Sequence, residues 1–313
     1  MAKALIFPGQ GSQFVGMGKL LAQEFSEALE VFQEVDDVLG QNLSKIIFDG
    51  PQEELNLTIN TQPALMACSI AVLRVMESLG FLLKKNVSFV AGHSLGEYSA
   101  LCASGMFSLK DTTSLLRIRA HAMQEAVPLG RGGMAAIIGL DQDVISAICL
   151  EVSVLGICQV ANDNGAGQFV ISGNRDAVEH ALVLAGERGG RSVMLPVSAP
   201  FHSGLMKPAA EAMRFALEGV TKMDPIIPIV MNVLAEPEQD CLKITQCLIE
   251  QVMGLVRWRE TVEWFADHGI KNCFEIGSGR VLTCLTGRMK RGIQVMPVCT
   301  IEDIESAIRV LGV

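Results

Sequence analysis

The chain has 313 residues, half of them apolar, enough for a large core as one big domain with an insertion or as two domains. Its net charge of −9 argues against a nucleic acid or an anionic membrane surface as the main partner. Nine cysteines occur with no C-x-x-C pair and no histidine at zinc-ligand spacing, so they read as reduced, mostly buried thiols of a cytoplasmic protein rather than as metal ligands.

A short buried strand is expected over residues 4–7, too short for a signal peptide or a membrane span. No other apolar run reaches membrane length free of charges and turn residues. The loop Pro8-Gly9-Gln10-Gly11-Ser12-Gln13 follows, then helices over about 16–25 and 28–39. A long apolar helix is read at 62–79, with Pro63 in its first turn, where a missing N–H is harmless. A strand at 87–91 leads into Gly92-His93-Ser94-Leu95-Gly96 and a helical run to residue 103. A helix over 111–126 is expected to be capped by Asp111. This alternation predicts an α/β sheet with helices on both faces.

The middle of the chain differs. Strands at 134–140, 156–161, 168–172 and 192–195 alternate with helices at 141–151 and 175–187, with a turn at Asn162-Asp163-Asn164-Gly165. That order, β-α-β-β-α-β, is the ferredoxin-like pattern, read as a small subdomain over 129–198 inserted into a larger core of 1–128 and 199–313. A strand at 226–231, a helix at 262–268 and last strands at 273–276 and 295–298 complete the core.

Gly-x-Ser-x-Gly between a strand and a helix has the form of a nucleophile elbow. Glycine is needed two residues either side of Ser94, because strand and helix pack there without room for a Cβ. The helix N-terminus behind the serine favours developing negative charge. Five histidines could serve as its base. His93 points away from the apex, His180 lies on an exposed helix face, and His268 sits at a helix end before Gly269. His121 reads as a polar helix residue. His202, in a loop at the junction with the small subdomain, is the candidate base. The amide of Leu95 is the first expected oxyanion donor, and the loop holding Gln10 is a candidate for the second. That loop is no nucleotide motif, since Phe14 stands where a glycine would be required. Arg117 and Arg119, two apart in an apolar helix, cannot share one face, and whichever is buried demands an anion such as a carboxylate.

Several separated stretches, in this order, resemble the family of malonyl-CoA:acyl-carrier-protein transacylases: Phe7-Pro8-Gly9-Gln10-Gly11-Ser12-Gln13, Thr61-Gln62-Pro63-Ala64-Leu65, Gly92-His93-Ser94-Leu95-Gly96-Glu97-Tyr98, Arg117-x-Arg119, Gly167-Gln168-x-Val170-Ile171-Ser172-Gly173 and Phe201-His202-Ser203. The resemblance implies an α/β-hydrolase-like core carrying the inserted subdomain. It implies a ping-pong transfer of malonyl from malonyl-CoA to the phosphopantetheine thiol of acyl carrier protein, without metal or resident cofactor. A monomer is expected. The resemblance makes Ser94 the nucleophile, His202 its base and Arg119 the carboxylate binder. The backbone carbonyl of Gln251 would orient His202, the Gln10 amide would be the second oxyanion donor, and Gln62, Asn162 and Gln168 would line the pocket. Leu95 and Phe201 match malonyl rather than methylmalonyl transfer. Two departures, Leu255 before Val256-Arg257-Trp258 and Gly277-Ser278-Gly279 near the C-terminus, are expected to loosen loops near the site. An acidic carrier would need a basic patch, and Arg280, Arg288, Lys290 and Arg291 form the densest one. The alternative is a serine esterase or thioesterase of α/β-hydrolase type, with His268 as the late histidine. A non-catalytic scaffold is disfavoured by the intact Ser94, His202 and Arg119.

Overall fold

The computed structural model describes residues 2–197 and 199–313. Ser198, which ends the expected subdomain, lies outside the described residues. The first strand, β1 (Lys3–Phe7), sends Leu5 and Phe7 into one buried cluster and Ala4 and Ile6 into another. A strand buried on both faces belongs in the middle of a parallel sheet. It is followed by α1 (Lys19–Glu24), α2 (Ser26–Leu39), α3 (Leu43–Asp49), α4 (Gln52–Leu55), α5 (Thr58–Ser78), α6 (Leu83–Asn86), β2 (Phe89–Gly92), α7 (Gly96–Ala103) and α8 (Leu109–Glu125). The middle of the chain forms β3 (Gly132–Ile138), α9 (Gln142–Glu151), β4 (Cys158–Asp163), β5 (Gln168–Asn174), α10 (Arg175–Glu187) and β6 (Arg191–Met194). The remainder forms α11 (Lys207–Glu218), β7 (Ile229–Val230), β8 (Pro237–Glu238), α12 (Cys241–Gln251), α13 (Trp258–Asp267), β9 (Asn272–Ile276), α14 (Val281–Met289), β10 (Gln294–Val298) and α15 (Ile301–Leu311).

Two sheets result. The first has six strands in the order β10-β9-β1-β2-β7-β8, parallel throughout except for β8, which closes one edge antiparallel to β7. The second has four antiparallel strands in the order β4-β5-β3-β6. It has its own core with α9 and α10, including Ile137, Ile145, Phe169, Ile171 and Ala181.

Several expected boundaries move, each for a local reason. Gly16 and Gly18 take φ of 97° and 73°, so the first helix starts only at Lys19. The long helix α5 starts at Thr58, because the Asn60 and Thr61 amides both donate to the Leu57 carbonyl. Pro63 therefore lies inside the helix, where it forgoes one backbone bond. By length and composition α5 could cross a membrane, against the expectation from sequence, but 89% of its apolar window is buried inside the protein. The cap of α8 is Ser108, whose hydroxyl accepts from the Asp111 amide at 3.0 Å, so Asp111 is the cap's partner. Asn162 and Asp163 continue β4, and the turn falls on Gly165, Ala166 and Gly167, all at positive φ. The strand expected at 226–231 pairs only at Ile229–Val230, since Pro225 and Pro228 lack ladder donors. All nine cysteines are free thiols.

The turn from β2 to α7 has the expected constraint. Ser94 sits at φ 54°, in the left-handed region. A Cβ on Gly92 would stand 2.0 Å from the Gly96 carbonyl, and one on Gly96 would stand 2.3 Å from the Phe7 carbonyl oxygen. Gly96→Ala should therefore cost about 3 kcal/mol or more, because the obstacle is backbone and cannot rotate away. Denaturant unfolding checks this; an unchanged midpoint would remove the packing account of the elbow.

Candidate active site

Loops at the carboxyl ends of β1, β2 and β7 bring Gln10, Ser94 and Asn232 to one edge of the parallel sheet, the usual place for a site in such sheets. The second sheet covers that edge. Between them lies a cavity of about 240 Å³. Its lining includes Gln10, Gln62, Ser94, Leu95, Arg119, Asn162, Gln168 and His202, with an apolar wall of Met123, Met134, Val170, Leu195, Val197, Phe201 and Leu285.

The Ser94 Oγ lies 2.7 Å from His202 Nε2, and His202 Nδ1 lies 2.8 Å from the Gln251 carbonyl oxygen. A carbonyl only accepts, so Nδ1 carries the proton and Nε2 offers its lone pair to the serine hydroxyl. His202 takes φ 56°, a strained conformation its loop must hold. Gln159 of β4 helps to hold it, accepting from the Gly204 amide at 3.0 Å. Burial, reinforced by the Arg119 charge, pushes the His202 imidazole from 6.5 down to about 3, so the ring is neutral at pH 7.

Of the two candidate arginines, Arg119 is the buried one, at 1% exposure. It donates to Gln62 Oε1 at 2.8 Å, to Gln251 Oε1 at 2.9 Å and to Ser94 Oγ at 3.2 Å. It also stands 5.6 Å from the Tyr98 ring centroid. These partners are all neutral, and among the described residues no carboxylate forms an ion pair with it. Burial lowers its pKa, and an anion in the cavity would relieve that cost. Arg117 faces outward and donates to Gln41 at 2.6 Å.

The other histidines lie where sequence reasoning put them. His93 turns its ring to Asn164, 2.9 Å away, although the residue is part of the cavity wall. His121 and His180 are exposed. His268 caps α13, bonds the Trp264 carbonyl at 2.8 Å and stacks on the Trp264 ring, away from the cavity lining. It cannot serve Ser94 as the late histidine of an esterase.

Gln251 is fully buried behind the cavity rather than lining it. The loops expected to be loosened are instead tied down. Ser278 Oγ donates to the Ser12 carbonyl at 2.5 Å, and Val256 bonds Ala161 and Asp163 of β4. Sequence reasoning missed two residues at the site, Asn232 and Glu97. Asn232 Oδ1 accepts from the Ser94 amide at 2.8 Å and its Nδ2 donates to the Gly92 carbonyl at 2.6 Å, clamping the elbow from both sides. The one signal in the sequence was the place of Glu97, three residues after Ser94 on the helix that follows it. Arg280, Arg288, Lys290 and Arg291 are exposed; Arg288 donates to Gln168 at 3.1 Å and Arg291 pairs with Glu263.

Residues 4–295 match the family model described as an acyl transferase domain. The chain is 44% identical over 310 residues to the malonyl CoA-acyl carrier protein transacylase of Bacillus subtilis (strain 168), covering 98% of this chain and 96% of that one. It is 42% identical over 287 residues to that of Escherichia coli (strain K12), covering 91% and 92%. The crystal structure of the acyl-carrier-protein-S-malonyltransferase of Bartonella henselae matches with a TM-score of 0.99 at 58% identity, covering 100% of both chains. A malonyl-transacylase solved in complex with its type II PKS acyl-carrier protein matches with a TM-score of 0.95 at 42% identity, covering 99% of this chain and 100% of that one.

The depressed His202 pKa has a signed consequence for stability. Above about pH 6.5 the ring is neutral in folded and unfolded chains alike, and it contributes no pH dependence. As pH falls from 6.5 towards 3, the unfolded chain takes up a proton that the folded chain refuses, so stability is lost. His202→Gln removes this penalty. Relative to that variant, the wild type should lose about 2 kcal/mol between pH 7 and pH 5. Denaturant unfolding at both pH values measures it, and parallel losses in the two proteins would contradict a buried neutral imidazole.

Proposed function

The chain belongs to the acyl transferase domain family, and from that premise we propose that it transfers malonyl from malonyl-CoA to the phosphopantetheine thiol of acyl carrier protein through a malonyl ester on Ser94. One observation carries the reading: a hydroxyl, a neutral imidazole and a buried guanidinium that has no ion-pair partner among the described residues meet in one cavity.

Ser94 Oγ attacks the thioester carbonyl carbon while His202 Nε2 takes its proton. The amides of Leu95 and Gln10 receive the developing oxyanion, Leu95 aided by its place at the start of α7. The C–S bond breaks, and coenzyme A leaves as the thiol with the proton from His202. The carrier's thiol then attacks the malonyl ester, passing its proton to His202 and on to Ser94. Arg119 holds the free carboxylate, positioned by Gln62 and Gln251, while Asn162 and Gln168 line the entrance. Acetyl would leave that guanidinium buried without its anion, a cost of several kcal/mol. The chemistry needs no metal and no resident cofactor.

We read the first sheet and its helices as an α/β-hydrolase-like core and residues 129–198 as a ferredoxin-like insertion; the β-α-β-β-α-β order of the second sheet supports this. The free thiols suit a reducing, cytoplasmic setting. The exposed Arg280, Arg288, Lys290 and Arg291, of which Arg288 bonds Gln168, offer an acidic carrier its docking patch.

Intact mass after mixing with malonyl-CoA should show a lasting malonyl adduct, absent in Ser94→Ala. Free malonate without an adduct would mark an esterase. Arg119→Ala should cut the preference for malonyl over acetyl on the order of 100-fold; a preserved preference removes the carboxylate role. Reversing charge at Arg288 and Lys290 should slow transfer to the carrier and leave acylation by malonyl-CoA intact. Equal loss in both half-reactions would dismiss the patch.

A further inference from the structure

We infer that Glu97 is a positioning residue for acyl selectivity: its carboxylate sets which way the Gln251 side-chain amide faces, and that amide aims Arg119 into the cavity. The inference rests on the assignment of Arg119 to the malonyl carboxylate.

Glu97 stands in the first turn of α7 with no exposed surface, and it is not part of the cavity wall. Its Oε1 accepts from the Asn232 backbone amide at 2.6 Å and its Oε2 accepts from Gln251 Nε2 at 2.8 Å. Burial raises the carboxyl to about 8, while the donors from Asn232 and Gln251 and the Arg119 charge favour ionisation. An N–H aimed at each of its two oxygens is the arrangement a carboxylate accepts best, since protonating either oxygen leaves it the weaker acceptor, and these donors with the Arg119 charge oppose the effect of burial.

The amide of Gln251 has two unlike ends, and the structure uses both. Nε2 donates to Glu97 and, at 2.9 Å, to the Ser94 carbonyl, while Oε1 accepts from Arg119 at 2.9 Å. Turned over, the amide would set its NH₂ against the guanidinium, donor to donor, and Arg119 would lose its aim. The backbone N–H of Asn232 cannot turn over. A glutamine at position 97 must therefore give its oxygen to Asn232 and its NH₂ to Gln251, opposing the Nε2 that Gln251 now presents. His202 is spared the direct effect, because a different atom of Gln251, its backbone carbonyl, orients the base. Selectivity and base orientation thus hang on the same residue through separable groups.

Single-turnover acylation by malonyl-CoA and by acetyl-CoA, followed by intact mass, tests this on the wild type, Glu97→Gln and Glu97→Asp. Glu97→Gln should lower the malonyl-to-acetyl rate ratio roughly tenfold or more, chiefly by raising the KM for malonyl-CoA, with acetyl acylation little changed. Glu97→Asp, which keeps a carboxylate, should lose less of the ratio. A merely structural role would slow both donors together; that result, or an unchanged ratio, overturns the inference. If thermal unfolding shows that Glu97→Gln does not fold, the ratio in Glu97→Asp decides by the same criterion, a fall supporting the inference and no change overturning it. Absence of malonyl preference in the wild type would instead sink the assignment of Arg119.

Discussion

A guanidinium at 1% exposure imposes the order around it. Left unpaired in a low-dielectric interior such a charge costs several kcal/mol, so oxygen acceptors turned towards it are strongly favoured. Gln62, Gln251 and Ser94 do so, and each comes from a different part of the chain. All three are neutral, which leaves the charge solvated but not cancelled. The residual positive potential has a second effect: it helps to keep His202 deprotonated. Anion binding and base strength are therefore coupled through one side chain.

The strain in the site is local and is held by backbone packing together with side-chain anchors. Ser94 and His202 both occupy the left-handed region, at φ 54° and 56°. Each such residue costs of order 1–3 kcal/mol and persists only where its surroundings over-determine it. For Ser94 those surroundings are the close stacking of Gly92, Gly96 and the Phe7 carbonyl, together with the clamp of Asn232 on either side of the turn. For His202 they are the Gln251 carbonyl and the anchor from Gln159. Since Gln159 belongs to the second sheet, that sheet both roofs the cavity and steadies the base.

The elbow was legible in the sequence because its constraint is local: five consecutive residues must make the turn, and two of them must lack a Cβ. The start of α15 is written just as locally, in the capping box of Thr300 and Asp303. Two other boundaries move for reasons that are also local, but finer than hydrophobic periodicity. Pro63 sits inside α5 because the preceding turn is held by Asn60 and Thr61, and β7 shrinks to two residues because of its flanking prolines.

The sequence by itself determined the chemistry at hand: a serine on a strand-to-helix turn, five histidines with His202 as the candidate base, and two arginines that cannot share one helix face. Period and turn residues also determined that a βαββαβ run interrupts an α/β pattern. Only the tertiary structure decided which histidine, 108 residues away, lies 2.7 Å from the serine, and which arginine turns inward. It alone disclosed Asn232 and Glu97, 135 residues apart and joined at 2.6 Å. The reason is physical: a turn is written in neighbouring dihedrals, whereas a hydrogen bond between remote side chains exists only once the sheet has set their strand ends side by side.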